Sequence, residues 1–164
     1  MAMHTGSNMT LDEARAQWEQ TIRDDGGHCP CCNRWGKMYR RGINKTMAAS
    51  IIWLARMTQP GGDWVDVPKF GPRWLVASNQ LPTMRWWKMC ERSEPSPEED
   101  KKFSGMWRIT DLGNRWATNL VRLPKFVWTY NDTVYGYDDP KIAVSEILEN
   151  FSYNDVMGGS FNTR

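Results

Sequence analysis

Residues 26–41, GGHCPCCNRWGKMYRR, put a His, three Cys and a run of Lys and Arg into one short segment. Cys29 and Cys32 have the two-residue gap that lets two thiolates reach one Zn²⁺, and Pro30 between them fixes the turn. A closed structural zinc site takes four ligands. His28 and Cys90 are the further candidates, with Cys31 and His4 behind them. Adjacent residues seldom both reach one ion, which counts against Cys31 beside Cys32 and His28 beside Cys29. Two other readings stay open. The segment can be a small thiol-lined turn that packs on the core, or a redox dithiol. Redox motifs usually open a helix after a strand, whereas this one follows a helical pattern and two Gly.

The second half of the segment interleaves Arg34, Lys37, Arg40 and Arg41 with Trp35 and Tyr39, and Lys45 follows. Cations among aromatic rings suit phosphate contact with base stacking. The alternative is that Trp35 and Tyr39 pack inward and the cations are merely solvated. Charge along the chain favours a polyanion. Residues 26–90 hold ten Lys or Arg and only Asp63 and Asp66, a net of +8, while residues 131–155 carry six acids and Lys141, a net of −5. A basic middle and an acidic end fit a protein that meets nucleic acid with one face.

No hydrolase constellation is present. The chain has two His, and no Gly-rich phosphate loop, H-E-x-x-H or G-x-S-x-G occurs. Asp63 and Asp66 point to opposite faces of a strand, and Asp138-Asp139 before Pro140 read as a helix cap. The expectation is therefore a non-enzymatic protein. No stretch of about 18 apolar residues exists, so no membrane partner is expected. The N-terminus lacks a signal-peptide pattern, so the expected location is the cytoplasm, where Cys serve as thiols or metal ligands.

The elements that must position these residues follow from periodicity. TLDEARAQWEQTIRDDGG reads as a helix with a Thr10–Glu13 capping box and Leu11, Ala14, Trp18 and Ile22 on one face. INKTMAASIIWLARMTQPGG is a second helix with Asn44 as cap and Met47, Ile51, Leu54 and Ala55 as its apolar stripe. DWVDVP is a short strand and GPRWLVASN a short helix. QLPTMRWWKM is a further helix, with Leu81, Met84 and Trp87 inward and Gln80, Thr83, Arg85, Trp86 and Lys88 outward. ERSEPSPEEDKKFSG is a polar loop, MWRIT a strand and DLGNRWATNL a helix. FVWTYNDTVYGY alternates around Asn131-Asp132, a hairpin signal whose Trp128, Tyr130 and Tyr135 either complete a sheet or form an adhesive patch. DPKIAVSEILENF reads as a C-terminal helix, and GGSFNTR as a frayed end.

Helix, strand, helix, helix, loop and strand, in that order, is a winged helix-turn-helix. Its helices are expected near 44–58, 71–77 and 79–89, with wing strands around Met89–Glu91 and over Met106–Thr110. LPTMRWWKMCER…SGMWRITDLGNRW resembles the winged-helix segment in which a recognition helix precedes an apolar-x-aromatic-x-Ile-Thr strand. From the knuckle through LPKFVWTYNDTVYGY, the chain also resembles a group of bacteriophage proteins of no established activity. These carry a Cys-Pro-x-Cys knuckle before a winged helix and a Pro-Lys-aromatic hairpin after it. This chain departs at Asn33, where such knuckles commonly have Gly.

The expected fold is thus α+β: a winged-helix core over 44–120, an N-terminal helix and knuckle over 1–43, and a C-terminal hairpin and helix over 121–164. Double-stranded DNA is the expected partner. Thr83, Arg85, Trp86 and Lys88 would face the major groove, with Arg85 as base reader and Lys88, Arg73 and Lys45 on phosphates. Lys101 and Lys102 would reach the adjacent backbone. Glu91, Glu94, Glu98, Glu99 and Asp100 in the wing loop oppose phosphate. The alternative is therefore docking on a host protein complex of the transcription or defence machinery, in the manner of an anti-CRISPR.

Overall fold

The computed structural model describes residues 8–149, 153–159 and 161. His4 and most of the C-terminal GGSFNTR lie outside them. The described residues form an α+β structure with eight α-helices and three small antiparallel sheets. The chain divides into two compact units, residues 1–41 with 128–136, and residues 42–127 with 137–164.

In the first unit, α1 (Leu11–Arg23) starts at the expected capping box. The Thr10 hydroxyl accepts from the Glu13 amide, and the Glu13 carboxylate accepts from the Thr10 amide at 2.8 Å. Ala14 and Ile22 are buried, whereas Leu11, in the first turn, is 59% exposed. β1 (Gly27–His28) pairs with β2 (Trp35–Gly36), His28 opposite Trp35. Met38 N–H then bonds Ile22 O at 2.8 Å and ties the chain back to α1. Gly36 is required by close approach: a Cβ there would lie 2.8 Å from the Trp18 ring and 3.1 Å from Tyr130.

The second unit is organised around α2 (Lys45–Met57), capped by Asn44, whose side chain accepts from Met47 N–H at 2.9 Å. Every residue from Met47 to Leu54 is buried. An apolar stripe understates this helix; a helix hydrophobic all round is one enclosed on all sides. β4 (Val65–Asp66) leads into α3 (Val67–Phe70), a turn the sequence reading had missed. Asp66 accepts from Lys69 N–H at 3.1 Å, and Pro68 sits in the first turn. α4 (Arg73–Ser78) ends at Asn79 in the left-handed conformation, φ 49°.

The expected helix over 79–89 is shorter than its pattern. α5 (Leu81–Met84) passes into a 3-10 turn, Arg85–Trp87, which stops at Lys88 with φ 60°. The cause is the next element: Thr110 donates its hydroxyl to Lys88 O at 2.6 Å and its N–H to Met89 O at 3.2 Å, pulling the chain into β5 (Cys90–Arg92). Leu81, Met84 and Trp87 are nevertheless buried as expected.

β5 pairs with β6 (Met106–Ile109), Cys90 opposite Ile109 and Arg92 opposite Trp107. β4 pairs with the other edge of β6, giving the order β4-β6-β5. Thr110 then caps α6 (Asp111–Ala117) by accepting from Gly113 N–H at 3.0 Å.

β7 (Leu123–Tyr130) and β8 (Thr133–Ile142) form the expected hairpin. Asn131 and Asp132 take φ 51° and 58°, the paired left-handed geometry of a two-residue hairpin turn. With β3 (Tyr39–Gly42) they make a sheet in the order β3-β7-β8. The C-terminal helix starts later than the sequence implied. Asp138-Asp139-Pro140 do not cap it; they continue β8, an edge strand where Pro is tolerated. Helix resumes as α7 (Val144–Ile147), with Ala143 N–H donating to Glu146 at 2.7 Å, and α8 (Tyr153–Gly158).

Candidate functional site

The sequence-selected residues fall into two sets, one in each unit. In the first unit, Arg34, Arg40 and Arg41 are exposed and Lys37 is half-buried. Trp35 and Tyr39 are each 50% exposed, so neither packs inward fully. The Arg41 guanidinium lies 6.0 Å from the Tyr39 ring centroid, a cation over an aromatic face. Tyr130 and Tyr135 are engaged within the unit: Tyr130 meets Trp18 edge-on at 6.0 Å, and Arg23 lies 5.7 Å over Tyr135.

In the same unit, Cys29 and Cys32 are brought together at the turn between β1 and β2. Cys29 N–H bonds Arg34 O at 2.8 Å, and Asn33 N–H bonds Cys29 O at 2.9 Å. Asn33 takes φ 62°, so Asn performs the left-handed turn that Gly commonly makes in such knuckles. The Cys31 N–H points at Cys29 Sγ, 3.4 Å away. The backbone amides of Cys32 and Cys31 hold the Cys29 thiol below its ordinary range by favouring the thiolate. His28 turns its Nδ1 to Asn33 O at 3.0 Å.

Cys90 belongs to the other unit. It is buried in that core and bonds Leu81 O at 3.3 Å, and burial pushes its thiol up. Among the described residues, no group of three or more His, Cys, Asp or Glu is placed to hold one ion.

In the second unit, Arg85 and Lys88 are exposed, Thr83 and Trp86 half-buried, and Arg73 is exposed at the start of α4. The hairpin stem holds this segment from behind. Trp87 Nε1 donates to Pro124 O at 2.8 Å, and Tyr137 donates its hydroxyl to Trp86 O. Lys45 opens α2 with its Nζ 5.5 Å over Phe161. Glu91 is answered across the β5–β6 pair: Arg108 grips its carboxylate at 2.6 Å while lying 4.0 Å over the Trp64 ring. Of the acids expected to oppose phosphate, Glu94, Glu98, Glu99 and Asp100 remain exposed at the loop.

One feature escaped the sequence reading. A cavity of about 310 Å³ lies among α3, α4, α5, the strands β5 and β6 and the loop between them, lined by Val76, Leu81, Pro82, Phe103 and Trp107 among others. Phe103 is 57% exposed at its edge, and Arg92 stacks 4.8 Å from Phe103 and 4.4 Å from Trp107. The only sequence signal was an aromatic residue stranded in a charged loop. Among the described residues, no helix is long and apolar enough to cross a membrane. Compared with protein-family models, curated proteins and solved structures, the chain matches none of them.

Proposed function

We propose that this chain is a non-enzymatic, phage-type, cytoplasmic DNA-binding protein whose second unit is a winged helix and whose first unit adds basic contacts. One observation carries the reading. α2, β4, α4, α5, β5 and β6 follow one another in winged-helix order, and the sheet order β4-β6-β5 sets the first strand against the far strand of the wing hairpin. α3 is the single insertion in that order.

α5 and its 3-10 extension, four and three residues, span about 12 Å, comparable to the width of a major groove. Arg85 projects outward from this run and supplies the bidentate donor pair that suits guanine O6 and N7. Lys88, just past its end, and Arg73, at the start of α4, suit phosphates on either flank. Trp86 contributes less than the sequence suggested, because it is half-buried and its carbonyl is tied to Tyr137. Arg34, Lys37, Arg40 and Arg41 add phosphate contacts, with Trp35 and Tyr39 available for stacking.

Fluorescence-anisotropy titration against random-sequence duplex DNA tests the proposal. Micromolar binding, weakened by Arg85→Ala and by the pair Arg40→Ala/Arg41→Ala, supports it. Absence of binding at low salt overturns it.

A second reading, docking on a host protein complex, draws support from the cavity. Its exposed edge residues Val76 and Phe103 are apolar, and the cations Arg92 and Lys102 lie over the Phe103 ring, a surface complementary to an acidic, apolar segment. Phe103→Ser would abolish such docking and leave DNA affinity unchanged.

A further inference from the structure

We propose that Cys29 and Cys32 form half of a tetrahedral Zn²⁺ site, completed by the same two residues of a second copy of the chain. The half-site is built before any metal arrives. Asn33 at φ 62° closes the turn, and Cys29 is held at both ends of its backbone, its N–H on Arg34 O and its carbonyl under Asn33 N–H. The Cys31 amide points into Cys29 Sγ at 3.4 Å. Amides aimed at a sulfur do for a thiolate what hydrogen-bonded outer groups do for metal ligands generally: they fix its orientation and stabilise its charge.

Zinc in a structural site takes four ligands, and this turn offers two. No third His, Cys, Asp or Glu joins them among the described residues. Cys90 is committed to the core of the other unit through Leu81 O. Cys31 lies within the turn next to Cys32, and an adjacent pair seldom reaches one ion.

The pair is open to another molecule, because Cys32 is exposed and Cys29 half-exposed. Four thiolates on one Zn²⁺ leave a net charge of about −2. The exposed Arg34 of each copy, next but one to Cys32, stands ready to balance it. On binding, each coordinating thiol yields its proton to solvent, so assembly strengthens as pH rises. The ligands Cys29 and Cys32 take no part in the DNA-binding reading; only Arg34, a phosphate contact there, is common to both.

The test is sedimentation velocity of the pure full chain with and without Zn²⁺, with bound metal measured on the same sample. The expected result is one Zn²⁺ per two chains, a doubled mass, and return to monomer with EDTA. Cys29→Ser or Cys32→Ser abolishes both metal and dimer, while Cys31→Ser and Cys90→Ser keep both. Circular dichroism confirms that the serine variants are folded. Co²⁺ in place of Zn²⁺ gives charge-transfer absorption of the four-thiolate class. One Zn²⁺ per monomeric chain, zinc binding that survives Cys29→Ser, or no zinc-dependent change of mass would each overturn the proposal.

Discussion

Gly113→Ala should destabilise the second unit, although alanine is the better helix former by about 1 kcal/mol. Gly113 lies in the first turn of α6, and a Cβ there would stand 1.9 Å from Met89 O, 2.7 Å from Met89 C and 2.8 Å from Ile109 Cδ1. The obstacle is backbone, and Met89 O is already held by Thr110 N–H at 3.2 Å, so it cannot turn aside without breaking that bond. Overpacking costs about 1–3 kcal/mol, and a lost hydrogen bond about 1 more. Set against the gain in propensity, the net loss is about 2 kcal/mol, which lowers Tm by about 4–8 °C for a chain of this size. Calorimetric melting reads it directly. Gly158→Ala is the control: no atom lies within 4 Å of its added Cβ, so propensity alone acts and Tm should hold or rise. A Gly113→Ala melt at or above the parent Tm would refute the claim that α6 is wedged against the Met89 backbone at the entry to β5.

Three further outcomes follow from the same geometry. Thr58→Val should cost about 2 kcal/mol in chemical denaturation, because the buried Thr58 hydroxyl accepts from Ile109 N–H at 2.9 Å and its loss leaves that donor unsatisfied. Lys88→Gly should raise Tm by about 2–4 °C, by relieving about 1 kcal/mol of left-handed strain at φ 60°, yet weaken DNA binding; tighter binding by the variant would remove Lys88 from the interface. In native alkylation, Cys90 should stay unmodified until the protein unfolds. The Cys29 rate should instead show a midpoint below that of an ordinary thiol. Since the folded thiol is the more acidic, Cys29 contributes stability above its unfolded pKa and loses it as pH falls through the folded one. A midpoint at or above the ordinary value would contradict the amide-to-sulfur geometry.

Local signals were legible in the sequence, and long-range ones were not. The Thr10–Glu13 box, the Asn44 cap and the Asn131-Asp132 turn each need only neighbours in the chain, and each formed at its expected residues. The 79–89 helix was overextended because its end is decided by Thr110, more than twenty residues away in sequence. Asp138-Asp139-Pro140 looked like a helix start because the pairing that keeps β8 extended is invisible to periodicity. α2 showed a stripe where every residue from Met47 to Leu54 is buried, since alanines and Ser50 count weakly in an apolar pattern yet pack closely. For the candidate site, the sequence left inward packing of Trp35 and Tyr39 open, and their half exposure required the fold. The separation of Cys90 from Cys29 and Cys32 into different units, and the cavity beside Phe103, required the fold.

The most direct test of DNA binding is the slope of log affinity against log salt for duplex DNA, measured on the parent chain and on Lys88→Gly. Contacts from four or more of the exposed cations predict a slope of about −3.6 or steeper, made shallower by about 0.9 in the variant. A flat slope, or binding that persists unchanged at high salt, would contradict it.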